Sequence, residues 1–206
     1  MYGFYADVHN RDSYDDEGAT IVGIVDAFVP PLGFGAGWYP DYDFMSFHSW
    51  FVLDDIVGHE FTHGVTFDES DLIYEGQSGA ISECFSDIWG EFIDWRHSSP
   101  YDDYACLRWL IGEEMQLLLW EPPVCPPDPN CAIRFMEDPP LFGQPDRTGS
   151  PLWDENAGDP KHLLSGVGSK LCYLITEGDT FNGRTVEPMD EDLEGASMET
   201  VARLFY

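Results

Sequence analysis

Basic residues are scarce in this chain. Its 206 residues include nine lysines and arginines against 39 aspartates and glutamates, a formal net charge of −30, and only Lys161 and Lys170 are lysines. Because such a chain repels phosphate backbones and anionic lipid surfaces, we expect neither nucleic acid nor a membrane as its partner. The acidic excess suits calcium binding, or solution at high salt, where charge repulsion is screened.

Long apolar runs are also absent. No apolar stretch reaches the roughly 18 residues that a membrane-spanning helix needs. The first residues, MYGFYADVHN, lack a basic region followed by an apolar stretch, so we expect no signal peptide in this chain. A hydrophobic content of 43% with 15% aromatic residues indicates a folded globular chain, long enough for one large domain or two small ones.

The chain has few cysteines, and their odd number, five, leaves at least one unpaired. Cys125 and Cys131 bracket a proline-rich loop and are the best candidates for a local disulfide. Cys84 is expected to be a small buried residue. No spacing is that of a zinc finger, and an oxidising, extracellular setting is favoured.

The strongest chemical signal is the motif His59-Glu60-x-x-His63. On a helix this spacing places both imidazoles on one face, one turn apart, where they can share a metal ion. Glu60, between them, is placed to act on whatever the metal binds. Taken alone, the motif indicates an ordinary helix about as often as it indicates a metal site, so it needs support from the surrounding sequence.

The residues around the motif predict a helix. Asp54 or Asp55 can cap it, and its apolar residues recur at helical spacing. Gly58 and Gly64 disfavour a helix, since each costs about 1 kcal/mol relative to alanine. Glycines kept at such positions indicate that another element packs close to the helix.

A second predicted helix supplies a third ligand. A catalytic zinc usually takes three protein ligands and leaves a position for water, and Glu83 is the natural candidate. A carboxylate stripe is more often a solvated face, but together with the motif it predicts a metal site. The polar face of this helix carries four acids without a lysine or arginine among them: Glu83, Asp87, Glu91 and Asp94.

The segments HEFTHGVT and LIYEGQSGAISECFSDIWG together resemble the thermolysin-like zinc metallopeptidases, whose pattern is HExxH followed by a GAxxExxSD helix. Ser82 stands where this family commonly has asparagine. The resemblance implies that His59, His63 and Glu83 bind zinc, that Glu60 is the general base, that Asp87 orients a ligand histidine, and that Tyr74 stabilises the oxyanion.

Other segments extend the resemblance over nearly the whole chain. YGFYADVHNRDSYDD precedes the edge of the cleft in this family, CAIRFMEDP matches a stretch whose arginine holds a substrate carbonyl, and KHLLSGVGSKLCYLI begins with the oxyanion histidine. Asp26 replaces a family asparagine on a strand that binds extended substrate. The residues so implied are Ala27 and Arg134 for substrate binding and His162 for the oxyanion, with Asp154, Glu155 or Asp159 to orient His162.

The resemblance further implies a hydrophobic pocket and calcium. The pocket predicts cleavage on the amino side of bulky apolar residues. LRWLIGEEM resembles a calcium-binding segment, but Arg108 stands where the family usually has an acid; since calcium needs six to eight oxygens, we expect one calcium site at most. The pocket residues are Phe47, Trp50, Ile56, Ile111, Met115 and Ile133, and the possible calcium ligands are Asp55, Glu91, Asp94 and Glu113.

The predicted fold is α+β. A β-rich portion over residues 1–50, of strands and loops, forms the cleft edge, and a mainly helical portion over residues 51–206 carries the zinc site, with the active-site helix at the junction. Residues 107–119 predict an amphipathic helix, residues 121–160 loops, and GASMETVARLFY a last helix. Because the resembling enzymes continue on both sides, we expect a fragment that lacks the N-terminal region and the C-terminal helices.

The predicted function is that of a zinc-dependent endopeptidase. Glu60 takes a proton from a metal-activated water and passes it to the leaving amine, while Tyr74 and His162 stabilise the oxyanion. We expect a secreted monomer that acts on peptides or proteins. Two alternatives stay open: an aminopeptidase, which also uses HExxH with a distant glutamate, and an inactive acidic fragment that binds metal.

Overall fold

A small sheet precedes a group of helices, which confirms the predicted β-rich portion followed by a helical one; the boundary at residue 50 stays a prediction. The computed structural model describes residues 1–26, 35–97, 106–117, 132–189 and 196–206. The helices are α1 (Tyr2–His9), α2 (Asp54–Ser70), α3 (Gly76–His97), α4 (Glu114–Leu117), α5 (Pro160–Leu164), α6 (Gly166–Glu177) and α7 (Ala196–Phe205). The strands are β1 (Gly23–Val25), β2 (Ala36–Tyr39), β3 (Phe44–Phe47), β4 (Leu110–Ile111), β5 (Arg134–Phe135), β6 (Asp179–Phe181) and β7 (Arg184–Val186).

Helices α2 and α3 lie against each other at the centre of the fold. A Cβ atom built at Gly90 would lie 2.6 Å from the carbonyl oxygen of Asp55, and one at Gly58 would lie 3.0 Å from Cδ1 of Ile93. No larger residue fits at Gly90 unless the backbone moves, so glycine permits this close approach. The close packing predicted at Gly58 is confirmed.

The first three strands form one sheet in the order β1-β3-β2, with β1 parallel and β2 antiparallel to β3. Trp38 of β2 pairs with Met45 of β3. The indole of Trp38 also lies against Gly64 of α2, where a Cβ atom would come within 3.1 Å of the ring. Gly64 therefore lets the sheet edge approach the helix that carries the motif.

The core surrounds α3, on which α6 and α7 pack, while α1 contacts α7. It is rich in aromatic side chains that are almost completely buried, and these rings contact one another edge to face or at a tilt, as aromatic pairs prefer. This packing holds the central helix pair in place. The largest such side chains include Phe4, Tyr5, Phe61, Phe92 and Trp109.

Three local predictions differ from the structure. Residues 2–9 form helix α1 instead of strand or loop, because Phe4, Tyr5 and Val8 share one helical face and are buried. The helix predicted over residues 107–119 is wrong at strand β4, since Trp109 and Gly112 on either side have positive φ angles of 69° and 79°. The N-cap of α2 is Leu53, and the two aspartates predicted as caps lie in its first turn.

Two buried cysteines, Cys84 and Cys172, are free thiols, which confirms the prediction for Cys84. Cys106 is disulfide-bonded. The predicted Cys125–Cys131 disulfide lies outside the described residues. Within the described part of the chain, no helix has the length and apolar character needed to cross a membrane.

Candidate metal centre

Two histidines of α2 and one glutamate of α3 converge at the centre of the fold. The Nε2 atoms of His59 and His63 lie 3.1 Å apart. Each also lies 3.5 Å from a carboxylate oxygen of Glu83. In the described part of the chain, these three residues are the only group of histidine, cysteine or acidic side chains whose ligand atoms all lie within 4.8 Å of one another. The helical spacing of the motif thus produces the predicted convergence.

The chemistry of this group fits a zinc ion. Two imidazole nitrogens and one carboxylate oxygen form a known donor set of catalytic zinc sites. Oε2 of Glu83 is buried without a hydrogen-bond partner. Nε2 of His59, at 3.5 Å, is its polar neighbour. A buried carboxylate oxygen without a hydrogen bond is costly unless a cation takes it up, so this position favours a positive charge.

The other nitrogen of each histidine is held by α3. Nδ1 of His59 lies 2.9 Å from Oδ1 of Asp87, and Nδ1 of His63 lies 3.2 Å from Oγ of Ser82. Arg134 in turn donates two hydrogen bonds to Asp87, at 2.7 and 2.6 Å. Such partners fix the tautomer and orientation of a ligand imidazole.

The local charges set the protonation of these groups. Burial lowers the pKa of His63 to about 3, which keeps its ring neutral. Burial also acts to lower the pKa of His59, but the neighbouring carboxylates of Asp87 and Glu83 raise it to about 10. The pKa of Glu83 is lowered, because the charges and hydrogen bonds of the neighbouring histidines outweigh burial. A metal ion would therefore displace a proton from His59.

Glu60 lines a cavity of about 650 Å³ that opens beside the three residues. Its carboxylate accepts a hydrogen bond from the backbone N–H of Trp38, and burial raises its pKa to about 7. A carboxyl group that titrates near neutral pH can accept a proton and give it back. The position and the chemistry of Glu60 both suit a general base.

Tyr74 and His162 also line this cavity. The Tyr74 hydroxyl donates a hydrogen bond to Glu83, and Nε2 of His162 lies 3.2 Å from Oε1 of Glu83. Nδ1 of His162 lies 2.5 Å from Oδ2 of Asp159. Of the three acids considered for orienting His162, Asp159 is therefore the one in contact.

A second group of acids is buried between α2, α3 and the residues around β4. Burial raises the pKa of Asp55 to about 6 and those of Glu91 and Glu113 well above their usual values. One carboxylate oxygen of Glu91 and one of Glu113 are buried without hydrogen-bond partners. Asp94 is buried beside them and adds its charge to both. The Arg108 guanidinium lies over the ring of Trp95, 5.5 Å from its centroid.

The described residues that were expected to bind substrate do not line this cavity. Arg134 contacts Asp87, Ile56 and Ile111 are buried in the core, and Ala27 lies outside the described residues. None of the described pocket candidates lines the cavity.

The sequence analysis did not predict the apolar side chains that line the cavity. Phe67 lies four residues after His63, so the helical spacing of the motif was the available signal. The apolar wall consists of Trp38, Pro40, Phe67, Leu72 and Ile73.

Two family models cover the chain. One, described as the catalytic domain of thermolysin metallopeptidase, matches residues 1–67, and the other, described as its alpha-helical domain, matches residues 70–206. A zinc metalloproteinase of Renibacterium salmoninarum is 42% identical over 159 residues, which are 73% of this chain and 26% of that protein. A bacillolysin of Bacillus cereus is 32% identical over 95% of this chain and 33% of its own length.

One solved structure gives the same likeness in three dimensions. The precursor of protealysin, a metalloproteinase from Serratia proteamaculans, superposes with a TM-score of 0.63 at 26% identity, covering 84% of this chain and 55% of that chain. The present chain spans between a quarter and a third of the length of the two curated relatives.

Proposed function

This chain belongs to the thermolysin family of metallopeptidases, and on that premise we propose that it acts as a zinc-dependent endopeptidase. The observation that carries the proposal is the convergence of His59, His63 and Glu83 beside a cavity that Glu60 also lines. The three residues would hold zinc, which supplies Lewis-acid chemistry: it polarises a carbonyl oxygen and makes water nucleophilic near neutral pH.

The residues of the chain divide the remaining work. Asp87 and Ser82 hold the two ligand rings in the orientation that the metal requires. Glu60 takes the proton of the attacking water and delivers it to the leaving amine, since it lines the cavity on the same helix, between the two proposed ligand histidines.

Tyr74 and His162 donate hydrogen bonds to the oxyanion of the tetrahedral state. Both contact Oε1 of Glu83, and Asp159 keeps the His162 ring in place through Nδ1. The loss of one such donor costs about 10²–10³ in kcat in other hydrolases.

The substrate we propose is a peptide with bulky apolar side chains. The cavity wall that contains Phe67 and Ile73 offers apolar surface to such a chain. The preference for a bulky hydrophobic residue after the scissile bond rests on the family resemblance. Of the pocket residues that the resemblance implies, Met115 and Ile133 lie close together beside Gly112 and are half-buried.

The decisive experiment compares the zinc-loaded chain with its Glu60→Gln variant on a peptide whose amino terminus is blocked. We expect the wild type to cut the peptide and lose activity with a chelator, and the variant to lose about 10²–10⁴-fold in rate while it keeps zinc. Cleavage of free-ended but not blocked peptides would favour an aminopeptidase. Equal inactivity of both proteins with zinc bound would favour a metal-binding fragment.

We also propose that the group formed by Asp55, Glu91, Asp94 and Glu113 takes up one calcium ion. Two of its carboxylate oxygens are buried without partners, and a divalent cation would satisfy them. Arg108 faces Trp95 and adds no oxygen ligand, which argues against a second ion.

A secreted monomer is the setting that we propose for this activity. The net charge of −30 opposes self-association at low salt. The disulfide-bonded state of Cys106 suits an oxidising compartment.

A further inference from the structure

We infer that Lys161 is a positioning residue of the proposed peptidase: it holds Tyr74 in place for the oxyanion. The inference rests on the proposed function. Lys161 is one of only two lysines in a chain with 39 acidic residues. Among the described residues that line the cavity, it is the only lysine or arginine. Lys161 is therefore the one lysine or arginine charge among the described residues of the cavity wall.

The contact with Tyr74 is through the face of its ring. Nζ of Lys161 lies 5.0 Å from the ring centroid of Tyr74, within the range in which a cation is attracted to an aromatic face. The Lys161 side chain is 24% exposed. Since the ammonium group is partly shielded from water, its attraction to the ring is weakened less than at an open surface.

The stem of Lys161 is fixed by the first turn of α3. A Cβ atom built at Gly79 would lie 3.0 Å from Cβ of Lys161 and 3.0 Å from the carbonyl carbon of Tyr74. Both residues thus lie close to the same glycine, Gly79. Lys161 and Tyr74 are held together by this packing as well as by charge.

Asp159 anchors the ammonium group. Oδ1 of Asp159 lies 3.0 Å from Nζ of Lys161, while Oδ2 of the same carboxylate lies 2.5 Å from Nδ1 of His162. The one carboxylate therefore sets the position of both neighbours. Asp159 thus connects Lys161, which lies over the Tyr74 ring, to the His162 ring.

This arrangement acts on the oxyanion step. The tetrahedral state places negative charge beside the Tyr74 hydroxyl, and a fixed cation on the ring lowers the energy of that charge. Lys161 should therefore change kcat and leave KM unchanged. A cation–aromatic contact of this kind corresponds to about fivefold in rate.

The test uses the zinc-loaded chain, an amino-blocked peptide and five variants. We expect K161M to lower kcat about fivefold at constant KM and K161R to restore it. R184M, which removes an exposed positive charge from strand β7, is the matched control and should change neither. In the Y74F background the effect of K161M should disappear, because the hydroxyl that Lys161 positions is gone.

A binding measurement gives a second readout. Calorimetry on the zinc-loaded chain compares a phosphonate peptide, whose tetrahedral anion imitates the oxyanion, with a thiol peptide, which binds zinc without it. K161M should weaken the phosphonate about fivefold and leave the thiol unchanged.

The inference would be overturned if K161M left kcat unchanged or altered KM alone. It would also be overturned if K161M had the same effect in the Y74F background, or if K161M bound the phosphonate peptide as tightly as wild type does. Absence of cleavage by the wild type would instead refute the proposed function, and the phosphonate comparison would still judge Lys161.

Discussion

At the scale of single residues, the two proposed ligand histidines differ in what holds them. Nδ1 of His59 contacts the carboxylate of Asp87, which also accepts hydrogen bonds from Arg134. Nδ1 of His63 instead contacts the Ser82 hydroxyl, at 3.2 Å. A hydroxyl orients a ring less firmly than a charged partner does. His63 is therefore the more weakly oriented ligand of the pair.

This difference predicts the effect of Ser82→Ala. Loss of the hydroxyl should lower zinc affinity about tenfold, because the His63 ring loses its fixed orientation. Competition with a chromophoric chelator at constant pH measures the affinity. Ser86→Ala is the control on the same helix, since Oγ of Ser86 is buried without a hydrogen-bond partner. Equal affinity in Ser82→Ala and wild type would refute the orienting role.

The sequence predicted this centre at the level of residue types and spacing. HExxH fixes the relation of His59 to His63 through helix geometry alone, and Glu83 follows from the second helix. The partner of His162 could not be chosen in this way. Asp154, Glu155 and Asp159 lie in turns without periodicity, so only the folded chain brings Asp159 to Nδ1.

At the scale of elements, contacts between segments far apart in sequence were the hardest to predict. Strand β4 exists because Leu110 and Ile111 pair with β5, more than twenty residues later, and no local pattern contains that pairing. The close approach of α2 and α3 was easier, since Gly58 pointed to it directly. The partner glycine, Gly90, lies on α3 and gave no signal of its own.

Helix α7 meets α1 and α3 at His9. Nε2 of His9 accepts a hydrogen bond of 3.1 Å from Trp89 Nε1, and its ring stacks on Tyr206 with centroids 4.1 Å apart. Burial and the charges of Arg203 and Arg11 lower the pKa of His9 to about 4. Neutral His9 thus joins α1 to α3 and to Tyr206, the residue that follows α7.

The lowered pKa predicts an acid-sensitive junction. The stability that neutral His9 contributes is complete above about pH 6.5, the unfolded value, and is lost as the pH falls through about 4. A protonated ring could no longer accept the Trp89 hydrogen bond. The midpoint of thermal unfolding should therefore fall less steeply over this interval in His9→Gln than in wild type. His97→Gln, which changes an exposed histidine, should follow the wild-type curve; identical curves for all three would contradict the prediction.

At the scale of the whole molecule, the charge of −30 is the dominant feature. The composition reveals this charge. It does not reveal that four of the acids, Asp55, Glu91, Asp94 and Glu113, are buried together. Calcium should raise the midpoint of thermal unfolding more than sodium chloride at equal ionic strength, by about 5 °C at saturation, because sodium mainly screens surface repulsion.

The variant Glu113→Gln should lose this calcium increment and keep the response to sodium. Glu187→Gln, at an exposed position, is the matched control for the removed charge and should keep both responses. An equal rise with both salts in the wild type would show that the buried acids take up no calcium.

Helix α3 connects these scales. Ser82, Glu83 and Asp87 lie toward its beginning, and Glu91 and Asp94 follow within two turns. The helix backbone is stiff, and its packing at Gly90 leaves no slack against α2. Reagents that loosen surface loops should therefore leave the spacing of His59, His63 and Glu83 unchanged. A condition that unfolds helix α3 should release the metal ion and unfold the core in one cooperative transition.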